Sequence, residues 1–279
     1  MDDERVATVL SIAGSDSGGG AGIAADLKAF AAAGAHGTCA ITALTAQNTL
    51  GVTAVHPVPP EIIVAQVRAV VEDIGADAVK VGMLGGRVTI DAVAEALALL
   101  PGVPVVVDPV MVAESGAELL EPEAVEALVR EILPLASVLT PNLLEARRLA
   151  DPEGRLDPAQ LAAAIRRLGP PAVIVTGGHG NGADVLDDGG GEALPIPGPM
   201  HPDGAAHGSG CTHSSTLAAL LAYGVPLREA AVEARRVAAE SIGRGLRTIG
   251  AGPGPVDALG IAERARWIIT RQSQSSTLA

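Results

Sequence analysis

Residues 207–213 read HGSGCTH: a serine between two glycines, then a cysteine at the onset of a helical pattern. A glycine-flanked turn at a helix start presents several backbone N–H groups together, and the helix dipole adds positive potential, an arrangement that suits a phosphate. The same position favours a thiolate over a thiol. Cys211 is therefore a candidate proton acceptor for a hydroxyl attacking phosphorus, with the amides of Gly208, Ser209, Gly210 and Cys211 steadying the group in transfer. Other chemistries share these letters. With His207 or His213 as base, Cys211 would be a hydrolase nucleophile, although no local nucleophile signature accompanies it. The two histidines and the cysteine would also make a zinc site of uncommon spacing with no evident fourth ligand. A buried cysteine without chemistry is the fourth reading, and Cys39, inside an apolar run, reads that way.

Two carboxylates belong to the same question. Asp108 precedes Pro109 in VVVDPVM, and proline confines the preceding residue to extended backbone, which holds that carboxylate at a strand tip. Glu145 follows TPNLL at a helix start, where it either joins Asp108 in holding a well-hydrated Mg²⁺ or simply complements the helix dipole. The loop GGGAG at residues 18–22 partly fits a dinucleotide fingerprint through Gly20, Gly22 and Ala25. The acidic residue expected after the second strand is replaced by TALTAQN, so a nicotinamide site is not indicated. Neither lysine, Lys28 or Lys80, directly follows a glycine, which excludes a Walker-type phosphate loop.

These residues need elements to hold them. Short apolar runs (VATVLSIAG, GTCAITALTAQ, DAVKVGML, VPVVVDPVM, SVLTPN, PAVIVTGG) alternate with helical patterns, including PEAVEALVREILPLA. Such alternation predicts an α/β fold with a mostly parallel sheet covered by helices on both faces. TLGVTAVHPV reads as a short extended excursion, and ADVLDDGGGEALPIPG as a hairpin. The polar and glycine-rich stretches all follow strands, where open parallel sheets bind ligands. At 279 residues and 48% hydrophobic content, one domain spanning residues 1–271 is expected, with QSQSSTLA, 272–279, as a disordered tail. A net charge of −13 argues against a nucleic-acid partner. The acidic start is wrong for a signal peptide and no apolar run is long enough for a bilayer, so a cytoplasmic protein with no membrane association is expected. Two isolated cysteines exclude a disulfide framework.

AGSDSGGGAGIAADLKAF, ITALTAQNTLGV, VKVGML, VVVDPVM, LTPNLLEA and HGSGCTHSSTLAA occur in this order. Together they closely resemble the hydroxymethylpyrimidine/phosphomethylpyrimidine kinases of thiamine biosynthesis, from about residue 7 to Val256. The resemblance implies a ribokinase-like fold, ATP as co-substrate, Mg²⁺, and a homodimer. It implies phosphorylation of 4-amino-5-hydroxymethyl-2-methylpyrimidine and then of its monophosphate. A pyridoxal kinase of the same fold is the alternative, and a non-catalytic pyrimidine-binding protein a more distant one. Carried over by position, Cys211 is the catalytic group and Gln47 meets the pyrimidine edge, an amide offering donor and acceptor together. Ala21, Asp26, Met83 and Val110 line the same pocket. Asp108 and Glu145 match the metal positions, and Asn142, Thr176 and Gly178 the nucleotide positions. Thr176, in VTGGHG, stands where family members often carry lysine, which leaves ATP to backbone amides, Mg²⁺ and an arginine the sequence does not locate.

Overall fold

The computed structural model describes residues 5–114, 116–177 and 182–275, the last four by backbone alone. In chain order the elements begin with β1 (Thr8–Ala13), α1 (Gly22–Ala32), β2 (His36–Ile41), β3 (Ala43–Asn48), β4 (Gly51–Pro57) and α2 (Pro60–Asp73). There follow β5 (Ala78–Val81), α3 (Arg87–Leu97), β6 (Val105–Val107), α4 (Ala124–Ala127), β7 (Val138–Leu139), α5 (Leu143–Ala150) and α6 (Pro158–Arg166). The remainder is β8 (Val173–Val175), β9 (Asp184–Asp187), β10 (Leu194–Ile196), α7 (Ser209–Ala222), α8 (Leu227–Gly243) and α9 (Ile261–Ser275).

One sheet of eight strands runs in the order β10-β9-β8-β7-β6-β5-β1-β2. Strands β2, β1, β5, β6, β7 and β8 are parallel, and the hairpin of β9 and β10 closes one edge in antiparallel fashion. Alternate residues of each strand serve opposite faces. Leu10, Ile12, Val79, Val81, Val105, Val107 and Val173 pack with α2, α3 and α6 through Ile63, Val67, Ile90, Val93 and Leu161. Val9, Ala78, Val106, Val138 and Ile174 face α1, α7 and α8 through Phe30, Leu217, Ala231 and Ala234. A strand buried on both faces must be apolar at every position, which is why AVKV and VVV read as unbroken runs. The exception, Lys80, lies on the α1 and α7 face and is fully buried.

The structure departs from the sequence reading at two places. GTCAITALTAQ is two strands: at Thr42 the chain leaves the main sheet, its N–H bonding Ala13 O and its hydroxyl Met83 O. β3 then pairs with β4 in a separate antiparallel hairpin. PEAVEALVREILPLA forms only a short α4 followed by a wide turn over Leu128–Ile132 and a tight one over Leu133–Leu135, because Pro134 has no N–H to continue a helix. α9 carries helical backbone from Ile261 to Ser275; of the tail 272–279, residues 276–279 lie outside the described residues. Among the described residues no helix is long and apolar enough to cross a membrane.

Candidate active site

The strand carboxyl ends converge on one cavity of about 200 Å³. Gly14, Ser15 and Asp16 enter it after β1, Met83 after β5, Asp108 and Val110 after β6, Thr140 and Asn142 after β7, and Thr176 after β8. Between β1 and β5 the chain order reverses, the place where sheets of this type open a crevice.

The glycine loop and the start of α7 are built against each other. Asp16 is buried; its Oδ1 accepts from Gly18 N at 2.8 Å and its Oδ2 from Gly20 N at 2.9 Å and Ala21 N at 2.8 Å. His207 Nε2 sits 2.9 Å from the same Oδ2. Burial alone would raise the Asp16 pKa, but the His207 bond and the loop amides outweigh it and hold the group below its ordinary value. The two backbones touch so closely that only glycine fits: a Cβ on Gly208, at φ +84°, would lie 1.8 Å from Gly20 O. No side chain caps α7. The Ser209 N–H is already taken by Ala206 O, so the expected cradle of four amides loses that member. A Cβ on Gly210 would be 3.8 Å from Asp108 Oδ2, which puts the helix start directly beside that carboxylate.

Cys211 lines the cavity, half-buried, and its ionisation is the reverse of what the helix start suggested. Burial pushes the thiol up to about 12; Lys80 opposes this, Asp26 and Asp108 add to it, and the Gly22 amide offsets a little. Desolvation and two neighbouring carboxylates defeat the helix dipole. Neither histidine serves the sulfur. His207 is held by Asp16, and His213 Nε2 lies 3.2 Å from Asp184 Oδ2, so the hydrolase and zinc readings lack their imidazoles. Among the described residues no group of three or more His, Cys, Asp or Glu is placed to hold a metal. Cys39, in β2, is half-buried rather than enclosed, and burial raises its thiol too, with Asp26 adding.

Asp108 is buried and its Oδ2 accepts from Ser214 Oγ at 3.0 Å. Burial raises its pKa against the pull of Lys80 and Ser214. Glu145 closes a capping box on α5: Asn142 Oδ1 accepts from the Leu144 and Glu145 amides, while Glu145 Oε2 accepts from Asn142 N at 2.9 Å. Glu145 thus complements its helix and also lines the cavity. Its pKa is pushed up to about 8 by burial and by Asp108, against the Asn142 and Met111 amides. Lys80 compensates Asp108 only in part, and an all-oxygen pair leaving room for waters and phosphate oxygens fits Mg²⁺.

Gln47, Ala21, Met83 and Val110 all line the cavity; Gln47 Oε1 lies 3.1 Å from Thr45 Oγ1, whose single proton has the nearer acceptor Ser15 O at 2.8 Å. Thr176 bridges to Asn142 across the end of β8. Gly178 lies outside the described residues. Asp26 is a correction: it is fully buried beneath the cavity instead of on its wall. Its Oδ1 takes Lys80 Nζ at 3.0 Å and Ser215 Oγ at 2.8 Å, and its Oδ2 takes Lys80 Nζ at 3.1 Å and Ser11 Oγ at 2.6 Å. Burial works against the Lys80 charge, but Asp26 more than offsets it and the ammonium is held above its ordinary pKa. Sequence reasoning missed this pair, the Asp16–His207 tether and the cluster of Asp184, His213 and Arg235. Buried charges on strand and helix interiors were the only signal available.

A parallel sheet with an uncapped glycine-rich helix start and a carboxylate pair at its crevice defines a ribokinase-like small-molecule kinase. Comparison with known proteins narrows the class. The family model described as phosphomethylpyrimidine kinase matches residues 16–257, and the chain belongs to that family. It is 50% identical over 258 residues to the hydroxymethylpyrimidine/phosphomethylpyrimidine kinase of Rhizobium meliloti (strain 1021), covering 90% of this chain and 96% of the relative. Among solved structures, the phosphomethylpyrimidine kinase of Clostridium difficile 630 is 40% identical with a TM-score of 0.71, covering 82% of this chain and 96% of that one. Staphylococcus aureus pyridoxal kinase, solved with pyridoxal and with AMP-PCP, is 33% and 34% identical, with a TM-score of 0.81 in both and 91% of this chain covered against 94% of that one.

Proposed function

We propose that this chain transfers the γ-phosphate of ATP to the hydroxymethyl oxygen of 4-amino-5-hydroxymethyl-2-methylpyrimidine, and then phosphorylates the monophosphate to the diphosphate used in thiamine biosynthesis. One observation carries the reading. A single cavity joins an amide and apolar wall (Gln47, Met83, Val110) to the Cys211 helix start and to the Asp108 and Glu145 pair. The Gln47 amide offers an oxygen for the pyrimidine amino group and Nε2 for a ring nitrogen. Met83 supplies a soft apolar surface for the ring.

The hydroxymethyl oxygen forms a bond to the γ-phosphorus as the bond to ADP breaks, and the hydroxyl proton goes to Cys211 Sγ. Because burial keeps the thiol protonated at neutral pH, only the deprotonated minority accepts that proton, and Lys80 is the cation that sustains this minority. The loose transition state of phosphoryl transfer asks little of a base and much of positioning, which the Gly210 and Cys211 amides supply. Asp108 and Glu145 would hold Mg²⁺, whose charge when bound neutralises the phosphate oxygens. A homodimer belongs to the same proposal.

ADP release measured with the pyrimidine, its monophosphate and pyridoxal tests the assignment. The reading expects the two pyrimidines to give the higher specificity constants. A preference for pyridoxal would favour the activity of the Staphylococcus aureus neighbour, and no ADP release with any of the three would leave a binding protein.

A further inference from the structure

The cationic side chains around the cavity have uneven duties. Lys80 is matched by both oxygens of Asp26, and His207 is held by Asp16. Arg235 of α8 and His213 of α7 instead converge on a single carboxylate, Asp184. Both side chains are more than nine-tenths buried, at 8% and 5% exposure, and both line the cavity. Arg235 Nη2 donates to Gly182 O at 2.6 Å, yet its Nε, 3.6 Å from Asp184 Oδ1, makes no hydrogen bond. His213 Nδ1 is unpartnered too, and its Nε2, 3.2 Å from Asp184 Oδ2, makes no well-formed hydrogen bond. Buried polar atoms left unpaired are costly and uncommon in native proteins, and here they belong to two side chains that line the cavity.

The position of the cluster says which acceptors. β8 and β9 pair Val175 with Val185, and Gly177 N donates to Asp184 Oδ1 at 2.8 Å, so Asp184 lies beside Thr176. His213 stands three residues after Gly210 on α7, one turn behind the amides at the helix start. An anion on those amides and extending toward Thr176 passes the imidazole and the guanidinium. Arg235 is permanently charged. Burial would raise the Asp184 pKa, but the His213 bond and charge, the Gly177 amide and Arg235 together hold it below its ordinary value, so the carboxylate is ionised at neutral pH.

We propose that Arg235 and His213, bridged by Asp184, form the polar contact for the phosphate chain of the nucleotide, with the Arg235 guanidinium supplying the charge. Thr176 brings no charge to that end of the cavity, and Arg235 supplies it from α8 instead. The inference rests on ATP being the co-substrate.

Calorimetric titration of the whole protein with Mg²⁺ present, using AMP-PCP, adenosine and the aminopyrimidine as separate probes, tests it. In His213→Leu, AMP-PCP should bind about tenfold more weakly, the loss of one hydrogen bond. Adenosine and pyrimidine affinities should be unchanged, and Thr176→Lys added to His213→Leu should restore AMP-PCP binding. His213→Gln, a milder change, should show the same selectivity and serves if the leucine variant does not fold. Unchanged AMP-PCP affinity, or equal weakening of AMP-PCP and adenosine, in a folded variant overturns the assignment while leaving the kinase reading intact. A wild-type protein that binds no AMP-PCP overturns both.

Discussion

Replacing Lys80 with methionine isolates the buried pair beneath the site. The ammonium contacts both Asp26 oxygens, at 3.0 and 3.1 Å, with both side chains fully buried. Methionine fills similar space, so the variant tests charge and not volume. It leaves the Asp26 carboxylate with only the Ser11 and Ser215 hydroxyls. Removing one partner of a buried ion pair costs ~3–5 kcal/mol, against a net stability of roughly 5–15 kcal/mol for a domain. For a chain of this length that corresponds to a fall in melting temperature of roughly 6–20 °C. The double variant Lys80→Met with Asp26→Asn removes both charges, while the Asn carbonyl still accepts from a serine, and it should recover at least half of the loss. Urea unfolding of the wild type, both single variants and the double variant closes the cycle. A Lys80→Met protein as stable as the wild type, or a double variant less stable than either single one, would refute the view that Lys80 and Asp26 neutralise each other in the interior.

Two further predictions concern the crevice. Cys211→Ala should lower turnover about 10²-fold or more while leaving pyrimidine binding intact. In the wild type kcat/KM should rise with pH toward the thiol's raised value of about 12, because the accepting form is the deprotonated one; a flat profile from pH 7 to about 10 would remove Cys211 as the proton acceptor. Gly208→Ala forces a Cβ to 1.8 Å from Gly20 O at a backbone angle that disfavours side chains, so it should destabilise by roughly 1–3 kcal/mol and reduce binding of nucleotide and pyrimidine together. An alanine variant with normal melting and normal affinities would show that the two loops are free to part.

The sheet was legible because its strands are buried on both faces, and unbroken runs such as VVV have few other uses. The site's rim was legible for a related reason. Gly208, Asp108 and Asn142 lie just beyond strands or at helix starts, where polar residues interrupt an apolar pattern, whereas Gln47 sits inside β3 and was indicated by the resemblance. What escaped was interior. Asp26 and Lys80 are 54 positions apart, and Asp16 and His207 are 191 apart, so no local pattern announces either pair. Asp26 was placed on the wall by the resemblance alone, yet its position on α1 buries it against Lys80 of β5. The Cys211 thiol was misjudged because helix polarity can be read from a sequence, whereas desolvation and the charges of Asp26 and Asp108 depend on tertiary packing. The break at Thr42 escaped because apolar character continues through it while the burial alternation changes.

The tether between Asp16 and His207 bears on when the protein becomes competent during its own synthesis. The glycine loop, Gln47 and both crevice carboxylates leave the ribosome while the segment that clamps them is still untranslated. Until residues past His207 emerge, the Asp16 carboxylate has no imidazole, the Gly20 carbonyl has no opposing glycine, and the anion-facing helix start does not exist. A nascent or prematurely terminated chain therefore holds most of the chemical groups but no completed crevice, and competence arrives with the final quarter of the polypeptide.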